Sequence, residues 1–255
     1  MSFSSFSVFQ WKKPVVILLL LTGAAQLTKA QGFSAALERV DQPWYAGVSA
    51  GSSFGQATFR SVTEHQFHMG AQGGFYGGYR MNRLMSFEAG LQFGRQTQTA
   101  LDCCPYWLSE SGERYIAPVY GMNGWAYRDL RTRTGWGKLL LQANFDAISL
   151  FKGPDCKLSA SLSPQISVVT TRTLFLTPGD DIRHDRQWHM GLGGQASVGY
   201  EFKEGIVATA YTGITCLTGQ RFDNIPEHCH KSNLIYDAGV KLTIRWDILC
   251  KGLRL

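Results

Sequence analysis

Apolar and polar side chains alternate singly along most of this chain. Close to its C-terminal end Leu234, Tyr236, Ala238, Val240, Leu242, Ile244 and Trp246 are apolar, while Asp237, Gly239, Lys241, Thr243 and Arg245 between them are polar or lack a side chain. A period of two describes a strand whose two faces meet different surroundings. The same alternation recurs near Trp44 to Gly51, Phe67 to Tyr79, Met85 to Gly94, Gly137 to Ile148, Leu158 to Val168, His189 to Phe202 and Ile206 to Leu217, giving eight predicted strands. The third is the cleanest: Met85, Phe87, Ala89, Leu91 and Phe93 oppose Ser86, Glu88, Gly90, Gln92 and Gly94. In the fifth, Pro164 is expected to mark an edge or bulge, because proline cannot donate to a ladder. The seventh carries Tyr211 on its polar face.

The connections alternate as well. Short turns follow the second, fourth and sixth strands, at Asn82-Arg83, Phe151 to Cys156 and Lys203-Glu204-Gly205, whereas long segments follow the odd-numbered ones. An even number of amphipathic strands with short turns at one end and long loops at the other is the layout of an outer-membrane barrel. Closure is required there, because hydrocarbon offers nothing to an unpaired backbone group. A soluble barrel or sandwich is the alternative, with a bulky apolar interior. Here one face is leucine, phenylalanine and strand-end aromatics, and the other is glycine, serine, glutamine and charge. This favours lipid outside a narrow polar interior. The sequence therefore predicts an all-β, eight-stranded antiparallel up-and-down transmembrane β-barrel over residues 42–246.

The first thirty residues fit none of these strands. Lys12 and Lys13 precede the apolar run Pro14 to Leu21, and Thr28-Lys29-Ala30 suits a signal peptidase. Residues 1–30 are expected to be a secretory signal peptide, 31–41 a lead-in and 247–255 a periplasmic extension. Losing Lys12, Lys13 and Lys29 without any acidic residue lowers the net charge from +6 to +3, which argues against a nucleic-acid partner. All six cysteines lie beyond the signal, where disulfides can form. By the expected topology Cys156 and Cys250 share the periplasmic end and form the preferred bridge, while Cys103, Cys104, Cys216 and Cys229 share the outer end.

The stretch from Leu234 to Trp246 resembles the terminal signal by which bacterial outer-membrane proteins engage the β-barrel assembly machinery, with Asp237, Gly239, Leu242 and Ile244 in place and Trp246 completing the stripe. Over residues 42–246 the pattern is similar to that of the PorT-like outer-membrane β-barrel family. The resemblance implies placement in the bacterial outer membrane, with membrane lipid as surroundings; the founding member is linked to a secretion system, which makes secretion-complex proteins candidate partners, but general barrel features do not carry that role over. It implies little chemistry. Residues 247–255 depart from it, since many such barrels stop at an aromatic residue.

Seven charged residues, Glu88, Lys138, Asp146, Glu201, Asp237, Lys241 and Arg245, fall on the inward face and are expected to form a satisfied lumen network, because an unpaired charge there is costly. A narrow gated pore is the sharper alternative. The longest loop, 96–134, carries Tyr106, Trp107, Tyr115, Tyr120, Trp125 and Tyr127 with Arg114, Arg128, Arg131 and Arg133. Aromatic and arginine enrichment suits recognition, with Trp107, Tyr115, Trp125, Arg128, Arg131 and Arg133 as the expected surface; a loop folded over its own core would be equally aromatic. Gly47-Val-Ser-Ala-Gly51 and Gly191 to Ala196 match nucleophile-elbow and dinucleotide patterns, but each sits inside an alternating strand and lacks the helix those motifs require. His228-Cys229-His230 offers three soft ligands without a fourth, so neither metal nor cofactor is expected. A lipid-modifying hydrolase or acyltransferase using His65, His184 or His189 is the runner-up to a non-enzymatic binding or assembly role.

Overall fold

A computed structural model describes residues 40–57, 59–62, 67–99, 106–118, 120–150, 156–178, 181–183, 185–219, 222 and 233–252. Twelve strands are described: β1 Trp44–Gln56, β2 Gly70–Arg80, β3 Met85–Thr99, β4 Trp107–Ser109, β5 Arg114–Tyr115, β6 Gly124–Ala126, β7 Arg131–Asp146, β8 Leu158–Leu176, β9 Ile182–Arg183, β10 Gln187–Lys203, β11 Ile206–Leu217 and β12 Leu234–Arg245. One helix, α1 Trp246–Gly252, follows. Each of the eight long strands pairs antiparallel with its neighbour, in the order β10-β11-β12-β1-β2-β3-β7-β8, and β8 pairs in turn with β10. That last pairing closes the barrel and removes both edges.

The faces are those the alternation predicts. Val48, Phe75, Phe93, Leu139, Leu141, Leu162, Ile166, Leu192, Val198 and Val240 are exposed on the outside, while Gln72, Glu88, Gln92, Lys138, Gln142, Gln165 and Lys241 are buried inside. Apolar outside and polar inside on a closed ladder is a transmembrane barrel of the outer-membrane kind. The aromatics Trp44, Tyr79, Tyr200, Phe202 and Trp188 stand near the strand ends. Tight turns close the periplasmic end. Asn82 Oδ1 accepts from the Met85 N–H at 2.7 Å, and Gly205 turns the β10–β11 hairpin with a φ of 72°.

Four strands are longer than their alternation suggests: β1 continues from Gly51 to Gln56, and β3, β7 and β8 continue outward to Thr99, Arg131 and Leu176, so the long loop begins and ends inside the expected 96–134. Above the membrane polar residues stand on both strand faces, as at Arg95 to Thr99 and Arg131 to Thr134, and the contrast that reveals a strand fades there. Pro164 is neither at an edge nor at a bulge. The β7–β8 ladder passes over Ala143 and Asn144 and resumes at Phe145↔Leu162 in unchanged register, while Pro164 pairs with Gly194 on the other side.

The C-terminal extension forms α1 and packs against β12 and β1. The preferred Cys156–Cys250 bridge is therefore corrected: both are free thiols, as is Cys216, because the chain turns back under its own strand instead of crossing the mouth. Cys103, Cys104, Cys229, the expected signal peptide and most of the expected lead-in lie outside the described residues.

Candidate functional site

Two structures occupy the barrel axis, a charged layer at mid-height and an aromatic cap at the outer end.

In the charged layer, Lys138 of β7 reaches Asp237 of β12 at 2.9 Å, and Lys241 of β12 reaches Glu88 of β3 at 2.7 Å. All four side chains are at most 5% exposed. At that burial each ammonium needs its carboxylate, since desolvating a lone charge costs more than any single contact returns. Further groups complete the layer. Gln142 Nε2 donates to Glu88 at 2.9 Å, and the Lys241 ammonium lies 4.8 Å from the Tyr76 ring centre and 5.4 Å from that of Tyr211. Gln72 Nε2 donates to the Tyr211 hydroxyl at 3.0 Å. Tyr211, the residue that blurred the seventh strand's alternation, is thus an interior ring.

Glycines make this packing feasible. A side chain at Gly47 would collide with Tyr76, one at Gly78 with Tyr45, and one at Gly94 with Trp136, so each inward ring fills the space its neighbour leaves. Above the charges, Ala57, Trp136, Val169, Leu217, Phe222 and Ile235 form an apolar cluster inside the outer half of the barrel. Trp136 Nε1 donates to Ser53 Oγ at 3.1 Å, which in turn donates to Gln96.

Three of the seven expected network members lie elsewhere. Asp146 accepts from the Ile148 and Ala160 N–H groups at 3.0 and 3.1 Å and from Ser149 Oγ. Glu201 accepts from the Gly205 N–H at 2.6 Å. Arg245 pairs with Asp247 at 2.7 Å and Glu204 at 3.2 Å. Each sits at the periplasmic end of its strand, where turn N–H groups or the helix start are closer than the lumen. The Arg245 guanidinium holds the Asp247 carboxyl below its ordinary value of 3.8.

The aromatic cap rises from the tall wall of β3, β7 and β8. Strands β4, β5 and β6 make a separate three-stranded sheet in the order β5-β4-β6. Phe59, Tyr106, Leu108, Tyr127, Leu130 and Phe175 pack beneath it, with Trp125 and Ile182 against them. Tyr127 stacks on Phe175 at 5.7 Å and on Tyr106 at 6.0 Å. The expected recognition set consequently divides. Trp107 is buried, Trp125 is half-buried, and Tyr115 contacts Trp107 at 6.1 Å, so these three hold the cap together. Arg128 and Arg131 are exposed and Arg133 is half-buried. The exposed apolar groups are at the tip between β5 and β6, where Ile116 and Tyr120 are 69% and 105% exposed and Met122 is also exposed. Pro118 and Gly121 lie within that tip, a turn signal in the sequence that gave no weight to the residues it presents.

Ser49 and the glycines around it are ladder residues of β1, and Gly191 to Ala196 belong to β10, so neither motif has its bend. His189 is buried, with Nε2 2.9 Å from Thr171 Oγ1. His65, His184, His228 and His230 fall outside the described residues, and no group of three metal-ligating side chains occurs among those described.

No protein-family model and no curated protein matches the chain. Solved structures do. Neisserial surface protein A is 14% identical with a TM-score of 0.46, over 79% of this chain and 96% of that one. The attachment invasion locus protein of Yersinia pestis is 8% identical with a TM-score of 0.42, over 80% and 100%. A major outer membrane protein of Thermus thermophilus is 10% identical with a TM-score of 0.44, over 78% and 99%. The closed ladder and the inverted burial pattern establish the barrel independently of these likenesses.

Proposed function

We propose that this barrel acts by binding at its outer face, as a component of a secretion or uptake assembly of the sort the PorT-like sequence resemblance suggests, and neither conducts nor catalyses. One observation carries the reading. Ile116 and Tyr120 stand out in water at the end of a sheet whose other large aromatics are buried or half-buried. Exposed apolar groups on a fixed support are a contact surface in search of a partner, and the exposed Arg114, two residues before Ile116, gives it a polar edge. The packed charged layer and the apolar cluster above it weigh against a gated pore, because an ion would have to displace buried, paired groups. Of the histidines in the lipid-modifying alternative, His189 is buried against Thr171 inside the barrel, and His65 and His184 fall outside the described residues.

The test compares the wild type with Ile116→Ser/Tyr120→Ser/Met122→Ser in native membranes. Both barrels should insert equally, and partners that co-purify with the wild type at stoichiometric levels should be lost from the variant. A correctly inserted variant that keeps every partner at unchanged affinity overturns the proposal. So does steady conductance by the wild type in a planar bilayer.

A further inference from the structure

The outward face of the tall wall carries a second feature. In an antiparallel ladder direct partners point to the same side, so register alone shows which side chains share a level. Leu91, Leu139, Val168 and Met190 lie on one outward level of β3, β7, β8 and β10, and Phe93, Gly137, Thr170 and Trp188 on the next. The apolar run ends there on all these strands. Two residues further out, about 7 Å along the strand, the level reads Arg95, Gly135 and Arg172. The next reads Thr97, Arg133, Leu174 and Arg183, and the one above it places Arg131 between Thr99 and Leu176.

Five arginines thus gather on one face of three neighbouring strands and the short strand β9, immediately beyond the aromatic rim. None forms an ion pair with a described acidic residue; Asp129 is taken by Arg128, and the exposed Asp181 and Asp185 flank β9 without pairing. The other side of the barrel has nothing comparable among the described residues. At similar height β11, β12, β1 and β2 present Ile214, Cys216, Leu234, Tyr236, Ser52, Phe54, Gln56 and Ala71, all uncharged.

A notch lies in the middle of the patch. Gly135 separates Arg95 from Arg172, and a side chain built there would meet nothing within 4 Å. Two guanidinium groups flank an open space, with Arg133 next outward on the same strand. Guanidinium forks match phosphate oxygens, and basic residues just beyond the hydrocarbon attract anionic headgroups.

We infer that the notch at Gly135, between Arg95 and Arg172, seats a phosphate of an outer-leaflet glycolipid whose acyl chains lie along the Phe93–Leu139–Val168 face. The lipid is favoured over a free anion because the arginines stand directly above lipid-facing side chains. This site is separate from the cap tip, and its failure would leave the contact surface proposed above untouched.

The experiment reconstitutes the barrel in phosphatidylcholine nanodiscs doped with lipid A or with its phosphate-free form, and counts retained glycolipid by native mass spectrometry. Wild-type protein should retain the phosphorylated form at least tenfold better. Arg95→Gln/Arg172→Gln should abolish that preference. Gly135→Leu, which fills the notch without changing charge, should reduce it at least fivefold; its added side chain enters open space, so it decides the matter if the arginine variant does not insert. Equal retention of the two lipids by the wild type, or an unchanged preference in an inserted variant, overturns the inference. Inorganic phosphate that displaces the lipid at millimolar concentration reassigns the notch to a free anion and overturns it as well.

Discussion

The charged layer and the aromatic cap both exclude water from the barrel axis, and they do so by opposite physics. The layer is polar, and it is stable only because every charge has a fixed partner on another strand: Lys138 with Asp237, and Lys241 with Glu88. The cap is a small apolar core, held by the area its rings bury and by stacking. Damage should therefore spread differently. A lost partner in the layer leaves a stranded charge in the middle of the ladder that closes the barrel, whereas a lost ring in the cap loosens a sheet that the ladder does not need.

The largest effect should follow Asp237→Ala. Removing one partner of a buried pair strands Lys138, at a cost of about 3 to 5 kcal/mol. Urea unfolding from lipid vesicles should show it, and replacing both partners, as Lys138→Met/Asp237→Leu, should recover much of the loss. A single substitution without cost would show that water reaches the layer. Next comes Tyr127→Ala, in which a buried ring is deleted at about 3 kcal/mol. Here the loss should stay local, with faster proteolytic cleavage between residues 106 and 130 and an unchanged unfolding midpoint for the barrel. Cooperative loss of both would erase the distinction between the two regions.

A smaller effect separates hydrogen bonding from ring packing within the layer. Tyr211→Phe keeps the ring beside Lys241 and removes the hydroxyl that accepts from Gln72, costing about 1 kcal/mol in the same urea titration. The smallest lies at the periplasmic mouth. Asp247 is held below 3.8 by Arg245, so its contribution is present above that value and disappears as the pH falls through the lowered one. Because the pair lies at the mouth within reach of solvent, which screens it, the change is slight. Trp246 emission should shift with acid below pH 3.8 in the wild type and not in Asp247→Asn.

The lumen also alters what substitutions in β3 mean. An aqueous interior would accept arginine at Gln92 more readily than lipid would accept it at Leu91. Gln92 is buried among packed side chains, so arginine should be poorly tolerated at both positions.

Eight strands, their inner and outer faces and the periplasmic turns were legible in the sequence, because hydrocarbon outside and polar packing inside impose opposite demands on successive residues. Legibility stopped where that contrast stopped. Gln96, Gln98, Thr132 and Thr134 continue their strands above the membrane with polar neighbours on both faces, and alternation does not mark them. Inward charge was also legible, since Glu88, Lys138, Asp237 and Lys241 stand on the polar face. The partners were not, because pairing Lys138 with Asp237 depends on two strands brought across the lumen by closure. Asp146, Glu201 and Arg245 instead bond to groups two to four residues away, in turns and at a helix start, because each stands at the periplasmic end of its strand. Aromatic abundance in the long loop was evident, yet only folding decided that Trp107 and Tyr127 are core while Ile116 and Tyr120 are surface. The arginines form a patch for a similar reason. Arg95, Arg133, Arg172 and Arg183 are distant in sequence and become neighbours through ladder register, a property of strand pairs that no single strand contains.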